Sequence, residues 1–480
     1  MERQQAATVF VDGCYLKRHI LRSGLQHTPQ IVTQYLSHMV GEVRRLYPDV
    51  LIYINYYGVN MSEPVALPVS GRMFCDSNFR MNFNHHSIPG AWLHNTWGKM
   101  SYPYEQPWIL KPKSMKKEKL SDHDFVFNEH PKGVLTQLVD AFTAAAITHP
   151  EDISFVYADP DEVESVLQSA KYMGAQVKRM ALNGKVVEVT EVHSSGKGEP
   201  FLNRDLLRQT ALALQQEPAP ETEVLKNLRA AYPVDKQERV LMIDLGCVRK
   251  LLLSRKCQMN LENLQQVLDQ VHEKLPEPAT RTILYGGFLT SRRLIDPIPG
   301  DEDIVVDITS DKNILNLPNV EFCMGKTMQD KDYPTIVKWE SRFVPPAQRQ
   351  KNDYVYNIHQ YGVDPMLARS LAYARFNPAA VEAYVLTGDG DFACSVDQAV
   401  KAGLKVTVVH LSDDEPSLSY RLEKCASDVV KVELDWAKLK TTSQEFFEGI
   451  HHQKAVKKSR LKARQRELRN WARRSDDYQG

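Results

Sequence analysis

The chain lacks the marks of several protein classes. Its seven cysteines are scattered through 480 residues, odd in number and nowhere spaced Cys-x-x-Cys. Such a pattern argues against a disulfide framework and structural zinc, and for a reducing compartment. No apolar run approaches the 18 or more residues that cross a bilayer. The opening residues, Met-Glu-Arg-Gln-Gln, lead into a strand-like segment with no apolar leader. A cytoplasmic protein without membrane contact is expected. Net charge is also missing, since 60 Lys and Arg balance 60 Asp and Glu. That balance is uneven along the chain. Residues 451–480 carry ten basic residues against three acids, so a basic tail follows an acidic body.

What the chain does have is repetition. Asp124-Phe-Val-Phe-Asn128-Glu-His130-Pro-Lys-Gly133-Val134 returns as Asp353-Tyr-Val-Tyr-Asn357-Ile-His359-Gln-Tyr-Gly362-Val363, an offset of 229. Asp12 after an apolar run returns as Asp244 (offset 232), and Tyr57-Gly58 as Tyr285-Gly286 (offset 228). Tyr157-Ala-Asp159-Pro-Asp161 returns as Thr387-Gly-Asp389-Gly-Asp391, an offset of 230. Four matches in order, at so steady a spacing, indicate two copies of one globular domain rather than a solenoid.

Within each copy, apolar runs of strand length alternate with segments of helical periodicity. In copy one, strands are expected at Thr8–Val11, Val50–Tyr57, Ile153–Tyr157 and Ala175–Met180, with helices at Val134–Ile147 and Glu162–Met173. In copy two, strands are expected at Arg239–Ile243, Thr282–Tyr285, Val381–Leu386 and Lys405–Leu411. Helices there are expected after Asn260, at Val363–Phe376 and at Phe392–Ala402, the last closed by Gly403. Alternation of this kind implies an α/β fold, each copy a mostly parallel sheet flanked by helices. The expected units are residues 1–213, a linker at 214–237, residues 238–438, and a basic helical tail at 439–480.

The repeated carboxylates fall where ligands bind in open α/β sheets, at the carboxyl ends of strands. Asp12 and Asp244 each end a first strand. Asp159 and Asp161, like Asp389 and Asp391, stand between a strand and a helix. Asp364 opens the next helix and could join them. Any one such Asp is most often an N-cap. As a set they repel, by roughly 4 kcal/mol per pair at 4 Å and an effective dielectric of 20. A divalent cation relieves that repulsion, and all-oxygen ligands suit Mg²⁺ or Mn²⁺.

The segments Val385-Leu-Thr-Gly-Asp389-Gly-Asp391-Phe392 and Tyr361-Gly-Val-Asp364, with Ala399-x-x-x-Gly403-x-x-Val406, resemble the NYN domain, in its LabA-like branch of the PIN-like nuclease class. Leu422–Val432 resembles that family's terminal helix and last strand. The resemblance covers residues 239–433 well and 8–181 more faintly. It implies two tandem PIN-like (Rossmannoid) domains and a metal-dependent ribonuclease. Asp244, Asp364, Asp389 and Asp391 would be both catalytic residues and Mg²⁺ or Mn²⁺ ligands, and hydrolysis would leave a 5′-phosphate and a 3′-hydroxyl. Copy one departs from the pattern, with Leu135 in place of the third-segment Asp and Glu162 in place of the Phe. It retains Asp12, Asp159 and Asp161 as lesser metal candidates, with Asp140 a fourth acid one helical turn on. Tyr15 and Cys247 stand where the family has Asn.

Two basic clusters are candidate RNA contacts, through phosphates and interleaved aromatics. One is Lys111, Lys113, Lys116, Lys117 and Lys119, among Trp92, Trp97 and Phe79. The other lies in the tail and includes Lys458, Arg460 and Arg464. The expected partner is RNA, mainly single-stranded, with the two copies packed as an internal pseudo-dimer. Two alternatives stay open. One is an inactive RNA-binding scaffold; the other is a protein-interaction platform with further protein partners. His130 and His359 are read as general acids or phosphate contacts, or else as core histidines.

Overall fold

The computed structural model describes chiefly residues 5–25, 29–58, 133–194, 203–255, 260–287, 317–325, 361–411 and 418–440, with the backbone of short strands between them. Copy one contains β1 (Ala6–Asp12), α1 (Gly13–Arg22), α2 (Pro29–Leu46), β2 (Leu51–Val59), β3 (Asn84–Ile88), α3 (Val134–Thr148), β4 (Ile153–Tyr157), α4 (Pro160–Tyr172), β5 (Gln176–Asn183) and β6 (Val186–Glu191). Two helices follow, α5 (Arg204–Gln216) and α6 (Glu221–Ala230). Copy two contains β7 (Glu238–Asp244), α7 (Leu245–Ser254), α8 (Leu261–Lys274), β8 (Arg281–Phe288), β9 (Val320–Gln329), β10 (Ile358–Tyr361), α9 (Val363–Phe376), β11 (Ala380–Leu386), α10 (Ala393–Lys401), β12 (Lys405–Leu411), α11 (Tyr420–Cys425) and β13 (Asp428–Val432).

The sheets run β6-β5-β4-β1-β2-β3 and β10-β9-β8-β7-β11-β12-β13. Pairing is parallel except at β6 and β10. Central strands are covered on both faces, so Val9, Phe10 and Val11, like Leu241, Met242 and Ile243, are all buried. This is why they read as continuous apolar runs rather than as alternating ones. Asp12 lies beside Tyr57 in the ladder and Asp244 beside Tyr285, while Val11 pairs with Tyr157 and Ile243 with Leu386. Five strands therefore correspond in order and register between the copies.

The far edges differ. Copy one turns at Gly184 (φ +60°) into the antiparallel β6, whereas copy two adds α11 and the parallel β13. The hairpin was not foreseen from the sequence. β6 is mostly exposed, and its Val-Val-Glu-Val-Thr-Glu alternates only weakly.

Helix α9 is the centre of the molecule. Every one of its 14 residues is buried except Asp364. It packs against α3, its counterpart in copy one, and apolar residues of both copies share cores. Ile147 joins Leu367 and Leu371 in one cluster, and Ala368 joins Leu138 and Phe142 in another. The polar side chains of α9 find partners in copy one. Arg375 Nη1 donates to Asp140 Oδ2 at 3.0 Å, Tyr373 meets Ser169 at 2.8 Å, and Arg369 Nη1 donates to the Ser165 carbonyl at 3.2 Å. Asp140 is thus engaged at the interface and is not a fourth acid of the copy-one crevice.

The segment read as a linker includes α6, which is tied to copy two. Arg229 donates to the carbonyls of Ala380 (2.7 Å), Ala402 (2.6 Å) and Arg375 (2.8 Å). One guanidinium fork satisfies several chain ends at once. Among the described residues, no helix is long and apolar enough to cross a membrane.

Candidate functional site

The acids of copy two are placed by caps. β7 ends at Asp244, whose Oδ1 accepts the amides of Gly246 (2.8 Å) and Cys247 (3.3 Å) and so starts α7. Its other oxygen, Oδ2, accepts the Thr387 hydroxyl at 3.2 Å. Thr387 Oγ1 in turn accepts the Asp389 amide at 3.2 Å. Asp389 Oδ1 accepts the Asp391 amide at 3.2 Å, which opens a 3₁₀ turn over Gly390–Phe392 leading into α10. Phe392 is fully buried and anchors that turn. Asp244 and Asp389 therefore do act as caps, and in doing so are held at the strand ends. Asp364 comes from the third direction, in the first turn of α9.

These four acids sit within electrostatic reach of one another. The protein packed around Asp364 raises its pKa well above the carboxylate range, and repulsion from Asp244, Asp389 and Asp391 adds to the effect. Asp364 is nonetheless exposed to solvent at the head of α9. Burial raises the Asp244 pKa, as does Asp389, against the lowering influence of Lys250 and the two amides. Burial also pushes the neighbouring Cys247 thiol up to about 12, which keeps it protonated.

A fifth acid comes from copy one. Glu162 Oε2 accepts the Gly362 amide at 2.6 Å, across the interface. Burial raises its pKa to about 7, with Asp159 and Asp12 adding to the shift, and Glu162 in turn repels Asp364. From the sequence alone Glu162 registered as the loss of a family Phe. Only the packing of α4 against α9 could have signalled its role, because the contact spans 200 residues.

Copy one has the same caps in a different setting. Asp12 Oδ1 accepts the amides of Cys14 (2.8 Å) and Tyr15 (3.0 Å), and Asp159 Oδ1 accepts that of Asp161 (3.2 Å). In the strand register Ala158, rather than the Tyr157 of the motif match, lies level with Thr387, and it has no hydroxyl to offer Asp12. Arg18 lies 3.7 Å from Asp159 and 5.4 Å from the Tyr15 ring centre, and Tyr15 packs against Tyr157 at 5.2 Å. A guanidinium therefore stands beside the copy-one carboxylates. Burial raises the Asp12 pKa, and Arg18 works against that rise. The matching position in copy two, 232 residues on, is Lys250. Leu135 replaces Asp364.

The RNA-contact candidates Lys111, Lys113, Lys116, Lys117, Lys119, Lys458, Arg460 and Arg464 lie outside the described residues, as do the side chains of His130 and His359. Among the described residues, the set of three metal-type side chains whose ligand atoms all lie within 4.8 Å of one another is His149, Glu151 and Asp152. It precedes β4, at the opposite end of that strand from Asp159, and was not singled out from the sequence. No three of the copy-two aspartates are that close.

No protein-family model matches the sequence, and a search of curated proteins gives no match. Among solved structures, the chain is similar to a protein of unknown function from Vibrio parahaemolyticus. That match has 15% identity and a TM-score of 0.24, and it covers 42% of this chain and 97% of the other.

Proposed function

We propose that copy two is a metal-dependent ribonuclease centre of the NYN type, within the PIN-like class. Asp364 carries the proposal. It is the one exposed residue of a helix buried everywhere else, and three other aspartates surround it. An acid that faces other acids at the head of a core helix is relieved either by holding its proton or by a bound cation, and the second makes a site.

The donor set fits Mg²⁺ or Mn²⁺, because it is all carboxylate and hard, and reachable by water. Asp244, Asp364, Asp389 and Asp391 would hold the ion. A cation that keeps several of its waters does not require three carboxylates within 4.8 Å of one another. When bound, such a cation acidifies water and neutralises a phosphodiester. The chain's own groups do the rest. Thr387 orients Asp244, the caps fix Asp389, and Asp364, at the head of α9, is placed as a further ligand or as the base that orients the attacking water. RNA as substrate rests on the NYN resemblance and on the two basic clusters.

The test is Mn²⁺-dependent cleavage of single-stranded RNA. Asp391→Asn should abolish it while leaving the circular dichroism spectrum unchanged, and Asp161→Asn should have little effect. Wild-type protein that cleaves no RNA with Mg²⁺ or Mn²⁺ would defeat the proposal.

A second reading, an inactive RNA-binding scaffold, has one observation in its favour. Lys250 already supplies a positive charge to Asp244, so part of the repulsion is met without an ion. RNA binding that is indifferent to EDTA, in a protein that cleaves nothing, would establish it.

A further inference from the structure

The contacts between the copies are reciprocal, and both fall on the segments that carry acids of copy two. The Gly362 turn, which aims α9 and with it Asp364, lies on the Asp161–Glu162 segment of copy one. Gly362 adopts φ +76°, and a Cβ there would come within 3.2 Å of the Glu162 carbonyl oxygen. Its amide is held by Glu162 Oε2 at 2.6 Å. In the opposite direction, Thr136 in the first turn of α3 reaches copy two. Its hydroxyl lies 2.6 Å from the carbonyl oxygen of Asp391 and 3.1 Å from that of Gly133. Gly133 is the copy-one counterpart of Gly362 and has φ +78°. Each Gly turn thus docks on the other copy's Asp-x-Asp loop.

The chemistry of the two contacts is not equivalent. In copy two, buried Phe392 occupies the place of Glu162. Copy one offers a carboxylate to the backbone next to Asp364, whereas copy two returns only a backbone carbonyl. We propose that copy one is the positioning half of the copy-two centre. Glu162 and Thr136 hold, across the interface, the backbone of the two segments that present Asp364, Asp389 and Asp391. Neither residue is a ligand or a reacting group. Each acts through the chain it grips, as outer-shell partners orient the groups that touch a metal. The metal half of this inference rests on the function proposed above; the positioning half does not.

The two halves can be tested separately in the full-length chain. Amide exchange at Gly362, read by hydrogen–deuterium exchange in metal-free buffer, should be protected in wild type and in Glu162→Gln, which keeps an oxygen acceptor. It should be fast in Glu162→Ala. Mn²⁺ affinity, read by electron paramagnetic resonance, should fall about tenfold in Glu162→Ala and Thr136→Val, yet stay within about threefold in Glu162→Gln and Thr136→Ser, as for loss and retention of an outer-shell partner. Unchanged near-ultraviolet circular dichroism excludes unfolding as the cause. Undiminished Gly362 protection in Glu162→Ala overturns the inference. So does a loss of Mn²⁺ binding in Glu162→Gln as large as in Glu162→Ala, since Glu162 would then be a ligand itself. If wild type binds no Mn²⁺, the metal reading falls, and amide exchange alone decides the positioning role.

Discussion

The two copies share five strands in the same order and register, yet they answer the same electrostatic problem differently. Each brings capping aspartates to the ends of its central strands. Copy one meets that charge from within, by placing Arg18 3.7 Å from Asp159 and covering the spot with Tyr15. Copy two adds another carboxylate, Asp364, and a Thr387 hydroxyl that fixes Asp244. A fold of this kind therefore needs the aspartates as caps in either case. The two sets of caps differ in a few neighbours: Leu135 against Asp364, Ala158 against Thr387, and Arg18 against Lys250.

The sharpest way to break the comparison is to treat both copies alike. Asp244→Asn should reduce Mn²⁺-dependent RNA cleavage by more than about a hundredfold, beyond the 10- to 100-fold typical of outer-shell losses. Asp12→Asn should leave it nearly intact. Equal losses would mean that both copies feed one shared site.

The next largest effect concerns whether the copies are separable at all. Arg375→Ala leaves Asp140 buried and unpaired, at a cost of about 3–5 kcal/mol. Urea unfolding should show that loss, with both copies unfolding in one transition in wild type. Two separate transitions, with only one shifted, would show copies that are merely tethered.

A smaller effect should be seen at Asp364. Its folded-state pKa lies above the ordinary 3.8. The folded protein thus holds this proton longer than the unfolded chain does, and the stability contributed by the group is full below about pH 4 and declines as pH rises from there. In EDTA, Asp364→Asn should remove that decline and raise the melting temperature near neutral pH by on the order of 1–2 °C. A lower melting temperature would mean that the ionised carboxylate has a compensating partner.

The smallest expected change is at Arg18, whose ion pair is largely exposed. Arg18→Ala should cost under about 1 kcal/mol, as exposed pairs do. It should also remove the guanidinium that stands beside the copy-one carboxylates, visible as a second, weaker equivalent of bound Mn²⁺. No additional Mn²⁺ uptake would mean that neutralisation by Arg18 is not what sets copy one apart.

Much of the fold was legible because it is written in local terms. The buried parallel strands read as apolar runs, and Asp12, Asp244, Asn260 and Asp389 read as caps. The caps were found as expected, with Asn260 accepting the Asn263 amide at 2.8 Å. The repeat offsets anticipated which residues stand side by side, down to Tyr57 and Tyr285 beside the two strand-end acids. Contacts between the copies were not legible. Asp140 looked like a spare acid because its partner, Arg375, lies 235 residues away. Glu162 looked like a degraded motif position because the amide it grips belongs to the other copy. Arg18 follows Asp12 by six residues, and nothing in that spacing marks it as a counter-ion.

The burial of α3 against α9 also bears on how the chain is made. Part of the apolar surface of α3 is covered by α9, as where Leu138 and Phe142 meet Ala368, and α9 follows it by 229 residues. At roughly 5–20 residues per second, a ribosome needs about 10–50 seconds to supply it. Until then the α3 residues that face α9 have no partner from the second half. Ribosome-associated chaperones should therefore crosslink to nascent chains arrested before residue 363 and release those arrested well after 376. The union of the two halves is in that sense a timed event of biosynthesis as well as a feature of the finished molecule.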